Sequence, residues 1–183
     1  MTLSRPMFQA ALVVLTSLSL PIPALATTLI RQGLDRLAAD SRVVVRAKVL
    51  GIHSYWNAER TFIFTDVHAR PSDVIKGRHQ GDLTFTIMGG TVGEVTVMIV
   101  GGPDLAPGSE YVLFLDQTDF PGDSDRLTIR ELSQGVFDVR DDVAFSQALG
   151  EPLIADEHGQ SDVPGGEGGL PVRALIRQIR DAR

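Results

Sequence analysis

The sequence predicts an all-β fold, a small barrel or sandwich with one short helix near each end. Three observations carry this. The apolar runs at 83–88, 95–100 and 111–115 are short and rich in β-branched or aromatic residues, which suits strands rather than helices. Helical periodicity is confined to two stretches, 27–41 and 171–183. Glycine, proline and polar clusters separate the runs at short intervals, as turns do in an antiparallel β protein.

The run at 111–115 is the expected central strand. Tyr111, Leu113 and Leu115 alternate with Val112 and Phe114, so neither face is polar. A strand of that kind is covered on both sides. Its partner is expected at 95–100, where Val95, Val97 and Ile99 share one face, with a Gly/Pro-rich connection between the two.

Taken in order, residues 1–26 read as an export signal: Arg5 forms the positive start, residues 10–20 the apolar stretch, and Ala24-Leu25-Ala26 the small-x-small cleavage site. Cleavage would leave Thr27 first and move the net charge from −6 to −7 through the loss of Arg5. Residues 27–41 place Leu29, Ile30, Leu34 and Leu37 at helical spacing. Residues 43–53 alternate, with Val43, Val45, Ala47 and Val49 on one side and Arg46 and Lys48 on the other, as a half-buried strand does. Residues 54–60 form a polar break that carries the only tryptophan. Extended character resumes over 61–75, with Pro71 marking a bend or an edge, and 83–88 follows. Residues 117–125 are a loop by composition. Residues 127–132 and 135–140 predict one more hairpin, joined through Ser133-Gln134. The body domain is expected over 27–145 and a glycine-rich connection over 146–170. The last segment, 171–183, is an amphipathic helix that opens on proline and bears a Val172, Leu175, Ile176, Ile179 stripe flanked by arginines.

The 183 residues suffice for one domain with a real core. The absence of cysteine excludes disulfides, thiolate metal sites and a cysteine nucleophile. An excess of 23 acidic over 17 basic side chains argues against nucleic acid as a partner. After the leader, no run has the apolar length to cross a bilayer.

Five main strands in a chain of this size favour an OB-like barrel. The succession ADSRVVVRAKVLG, a tryptophan-containing turn, TDVHARPSDVIKG, a double-glycine turn, GGPDLAPGSEYVLFL and QGVFDVR resembles a family of uncharacterised exported bacterial proteins, over most of 39–140. More distantly, DVIKG followed by PGSEYVLFL is similar to the netrin-like, or TIMP-like, OB module. Protease inhibitors of that family cap a catalytic zinc with an N-terminal cysteine. Thr27 and a chain without cysteine depart from that pattern, so the resemblance implies the fold and not the inhibition.

Chemistry-bearing residues are sparse. Asp66 and His68 lie two apart on an expected strand and so share a face, an arrangement that suits a metal or a base with its orienting carboxylate; no third ligand is fixed by spacing. His53, His79 and His158 complete the histidines. Asp116, Asp119, Asp123 and Asp125 offer hard oxygen ligands without the spacing of a calcium loop. Ser54, Ser109, Ser124 and Ser133 sit outside any nucleophile elbow, and Gly89-Gly90 and Gly101-Gly102 read as tight turns. Tyr55, Trp56 and Asn57 are the candidate binding residues, because large aromatics in a polar loop anchor partners well. The expected function is an exported, periplasmic or secreted, non-enzymatic binding or interaction module. It would be monomeric, with an envelope or extracellular protein or ligand as partner and no cofactor. The alternative is a metal-dependent hydrolase built on Asp66 and His68.

Overall fold

The computed structural model of the chain describes residues 30–117, 126–149 and 165–182. The export signal, His158, Ser124 and three of the four loop aspartates (Asp119, Asp123 and Asp125) lie outside them. The elements are helix α1 (Leu34–Asp40), strands β1 (Val43–Trp56), β2 (Ile63–Lys76), β3 (Leu83–Met88), β4 (Gly90–Val92), β5 (Val95–Val97), β6 (Glu110–Gln117), β7 (Leu127–Ile129), β8 (Val136–Arg140), β9 (Val143–Ser146) and β10 (Leu170–Pro171), and helix α2 (Val172–Asp181).

Five strands close a barrel in the ring order β1-β2-β3-β7-β6 and back to β1. All its pairs are antiparallel except β3 with β7, which run parallel and meet at Phe85 and Leu127. Strands β8, β9 and β10 extend the sheet beyond β6. Two 14-residue strands, β1 and β2, form the long ribbon of the molecule. Register shifts after Val44, Arg46 and Val49 bend that ribbon around the barrel. Pro71 stands opposite Ala47 beside one of these shifts, so it bends the strand without ending it.

Strand β6 is apolar on both faces because it serves two cores. Tyr111, Leu113 and Leu115 point into the barrel with Val45, Ala47, Val67 and Phe85. Val112 and Phe114 point outward, where Leu37, Phe137, Leu175 and Ile179 cover them. Phe114 and Phe137 pack with ring centroids 5.9 Å apart. The α2 stripe expected from the sequence is therefore spent on the barrel, with Val172, Leu175 and Ile179 buried. At the end of α1, Ser41 Oγ adds a 2.6 Å bond to the Leu37 carbonyl that its own backbone N–H already reaches, and the Lys76 ammonium donates over 2.8 Å to the Ala39 carbonyl in the last turn, which the helix itself leaves unbonded.

Four expectations differ from the structure. Of the helix expected over 27–41, only Leu34–Asp40 is helical among the described residues, and Ile30 before it is 55% exposed. The 95–100 run is not a partner of the central strand: β5 pairs only with β4, in a separate two-stranded hairpin, and Met98 and Val100 are 86% and 82% exposed. The strands at 127 and 136 do not form a hairpin with each other. Both lie along one edge of β6, end to end, β7 against 115–117 and β8 against 110–113. Glu131 and Leu132 adopt left-handed backbone between them, which turns the chain without folding it back. Finally, the polar break begins later than composition suggests, since β1 runs through Ser54, Tyr55 and Trp56.

Candidate functional site

The end of the barrel away from the helices carries the polar chemistry. Along β2, Ile63, Thr65, Val67 and Ala69 are buried, so the alternate residues Phe64, Asp66 and His68 face outward. Register places Tyr55 beside Phe64 and Met88, His53 beside Asp66 and Thr86, and His68 beside Thr84. Three strands thus present one continuous outer face, and β2 is hydrogen-bonded on both sides along it.

At its centre is a wired polar cluster. The Asp66 carboxylate accepts from Thr86 Oγ1 at 2.6 Å, from the Tyr55 phenol at 3.3 Å and from the Arg126 guanidinium at 3.1 Å. Arg126 also donates to the Tyr55 oxygen at 2.9 Å. Burial raises the Tyr55 phenol above its ordinary pKa, and the negative charge of Asp66 adds to this, together outweighing the opposing pull of Arg126. The guanidinium arrives from the start of β7, across the parallel closure of the barrel. Beside the cluster runs an aromatic row. The His53 and Tyr55 rings lie nearly parallel with centroids 6.2 Å apart, Tyr55 and Phe64 are 6.4 Å apart, and Phe64 and Phe62 are 5.2 Å apart.

The three candidate binding residues take three separate positions. Tyr55 belongs to the outer face, with its hydroxyl in the cluster. Trp56 points to the opposite side of β1, half-buried, next to Ile63 in the register. Asn57 holds the turn between β1 and β2: its Oδ1 accepts from the backbone N–H of Thr61 and Phe62 at 2.8 and 2.9 Å. Asp66 and His68 do share a face, as their spacing requires. His68 Nδ1 lies 2.9 Å from Thr84 Oγ1, whereas the Asp66 carboxylate is engaged with Arg126. Among the described residues, no group of three His, Cys, Asp or Glu side chains gathers where one metal ion could bind them. Asp116 is tied to Arg130 at 2.6 Å.

On the inner side of the same end lies a cleft of about 730 Å³, with Ile52, Ser54, Met88, Gly90 and Met98 among its walls. The β4–β5 hairpin is laid across it by Gly89 and Gly90, whose φ angles are +88° and +128°, values that favour glycine. A Cβ on Gly90 would stand 2.2 Å from Thr65 Oγ1 and 2.5 Å from Ser54 Oγ.

Thr86, Arg126, Phe62 and Phe64 belong to no motif in the sequence. The T-x-T alternation at Thr84 and Thr86 signals a polar outer face. Nothing local signals Arg126, which meets Asp66 across 60 residues of chain. No protein-family model matches this sequence, and no curated protein matches it.

Proposed function

We propose that the chain is an exported binding module whose ligand seat is the outer face of β1, β2 and β3. The observation that carries this reading is the Tyr55–Asp66–Thr86–Arg126 cluster flanked by its aromatic row. A few placed polar groups beside apolar rings is the composition of a recognition surface. In small five-stranded barrels, the face of strands 2 and 3, between the loop joining strands 1 and 2 and the loop before the last strand, is where ligands commonly bind. Here the turn joining β1 and β2 is 57–62, and the cluster lies on the strands that follow it. Export rests on the leader-like pattern of residues 1–26. Asp66 is neutralised by a guanidinium rather than paired with a base, which favours recognition over hydrolysis.

The test is amide hydrogen exchange of the mature protein with and without fractionated envelope extract. Slowed exchange over 53–56, 62–68 and 84–88, with α2 unchanged, is the expected result. Protection confined to the helix side, or a stoichiometric metal with hydrolytic turnover in the purified protein, would overturn the proposal. Trp56 serves as a second reporter, because it lies across β1 from Tyr55. Replacing it with alanine should weaken binding less than replacing Tyr55.

A further inference from the structure

We infer that the ligand class of this face is a neutral oligosaccharide, a deepening that rests on the binding-module reading above. The two charged groups at the centre, Asp66 and Arg126, are already paired at 3.1 Å, with side chains 22% and 42% exposed. Among the described residues the two charges balance, and an anionic ligand would have to separate the pair to use its cation. The chain as a whole carries a net charge of −6, which repels phosphodiesters and other polyanions.

An extended peptide is disfavoured for a different reason. Peptides that add to sheets need an open strand edge, and β2 is paired on both sides from Phe64 to Ala69. What remains is a ligand that is uncharged, carries donors and acceptors on adjacent atoms, and has flat apolar faces. A pyranose chain has all three. Its C–H faces stack on aromatic rings, and vicinal hydroxyls bond to a carboxylate and a guanidinium held side by side. The face supplies the matching parts in adjacent rows. His53, Tyr55, Phe64 and Phe62 form the ring row. Asp66 and Arg126 form the polar row, held from below by the buried Thr86 hydroxyl, and Thr84 with His68 extends it. Small five-stranded barrels of this strand order take oligosaccharides as well as oligonucleotides on this face, and the acidity of this chain selects between them.

The experiment is a titration of isotope-labelled mature protein, followed by amide chemical shifts, with four probes. These are an N-acetylglucosamine tetramer, a neutral glucose tetramer, a sulfated oligosaccharide and an oligothymidylate. The expected result is saturable binding of a neutral probe, with shifts confined to β1, β2 and β3 and little dependence on salt, since no ion pairing drives it. Phe64→Ala and Asp66→Asn should each weaken that binding about tenfold or more, as truncation of an anchoring contact does. Arg173→Ala, on the exposed side of α2, should leave it unchanged. Retained circular dichroism shows that each variant is folded. Binding of the charged probes in preference to the neutral ones, or no saturable binding of either neutral probe, overturns the sugar assignment. If envelope extract still protects the same face from exchange, only the ligand class has failed. If it does not, the binding reading fails with it.

Discussion

The two sides of the barrel are built from the same strands and solve opposite problems. On the helix side, Val44, Val112, Phe114 and Phe137 are sealed under α1 and α2. On the other side, the far halves of β1 and β2 carry Tyr55, Asp66 and His68 on a face no helix covers, with Thr86 of β3 buried beneath Asp66. The division falls within single strands: β1 is buried from Val43 to Val45 and largely exposed from Leu50 to His53. The contrast teaches that helix packing is concentrated at one end, which leaves the other free to hold polar groups whose unpaired burial would be unfavourable. Ion pairs follow the same division. Arg46 ties Glu110 at 2.8 Å and Asp142 at 3.0 Å near the sheet extension, whereas Arg126 ties strands on the open face.

The sharpest way to break the comparison is through Phe114. Phe114→Ala opens a void between barrel and helices and should cost about 3–5 kcal/mol; Leu113→Ala, on the inner face, should cost about 2–5 kcal/mol. Denaturant midpoints measure both, and midpoints near that of the parent would show that β6 is not the joint between two cores. Next in size is Gly90→Ala, which forces a side chain into left-handed backbone, at about 1–3 kcal/mol, and against Thr65 Oγ1. Its effect should be confined to the open end: faster amide exchange over 88–100, with α2 protection retained. Global unfolding in this variant would mean that the hairpin belongs to the core.

Arg126→Ala comes third. An ion pair this exposed contributes at most about 1 kcal/mol, so thermal unfolding should shift little. Ligand capture at the face should fall far more. A large loss of stability without loss of binding would reverse the roles assigned to the two sides. The smallest effect is alkaline. The Tyr55 pKa is raised in the folded protein, so the associated stability is complete below the ordinary tyrosine value and declines as pH rises through the raised one. Comparing unfolding of the parent and Tyr55→Phe in that range should show a shallower decline in the variant.

The helix side was legible in the sequence because its signals are local. The two-sided apolarity of residues 111–115 and the Val172, Leu175, Ile179 stripe each state their burial within one element. The open side was less so. Val95, Val97 and Ile99 alternate as well as any core strand, but alternation does not say which sheet receives them, and the positive φ of Gly89 and Gly90 sends them outward. Asp66 and His68 could be placed on one face by counting. Arg126 could not, because its place depends on how the ring closes. Likewise, β7 and β8 look like a hairpin by length and composition, and only the left-handed pair Glu131 and Leu132 shows why they share an edge instead.

That closure has a mechanical consequence. The ring is completed by β7, a strand of three residues, and its register with β3 rests on the single pair Phe85 and Leu127. Such a junction is a seam, and seams open before walls do. Arg126 stands immediately before Leu127 and reaches over the seam to Thr86 on β3 and Asp66 on β2, so it acts as a rivet across the weakest line of the barrel. If the face binds as proposed, a ligand seated on that guanidinium would press on the rivet, and occupancy of the face and closure of the ring would become one event.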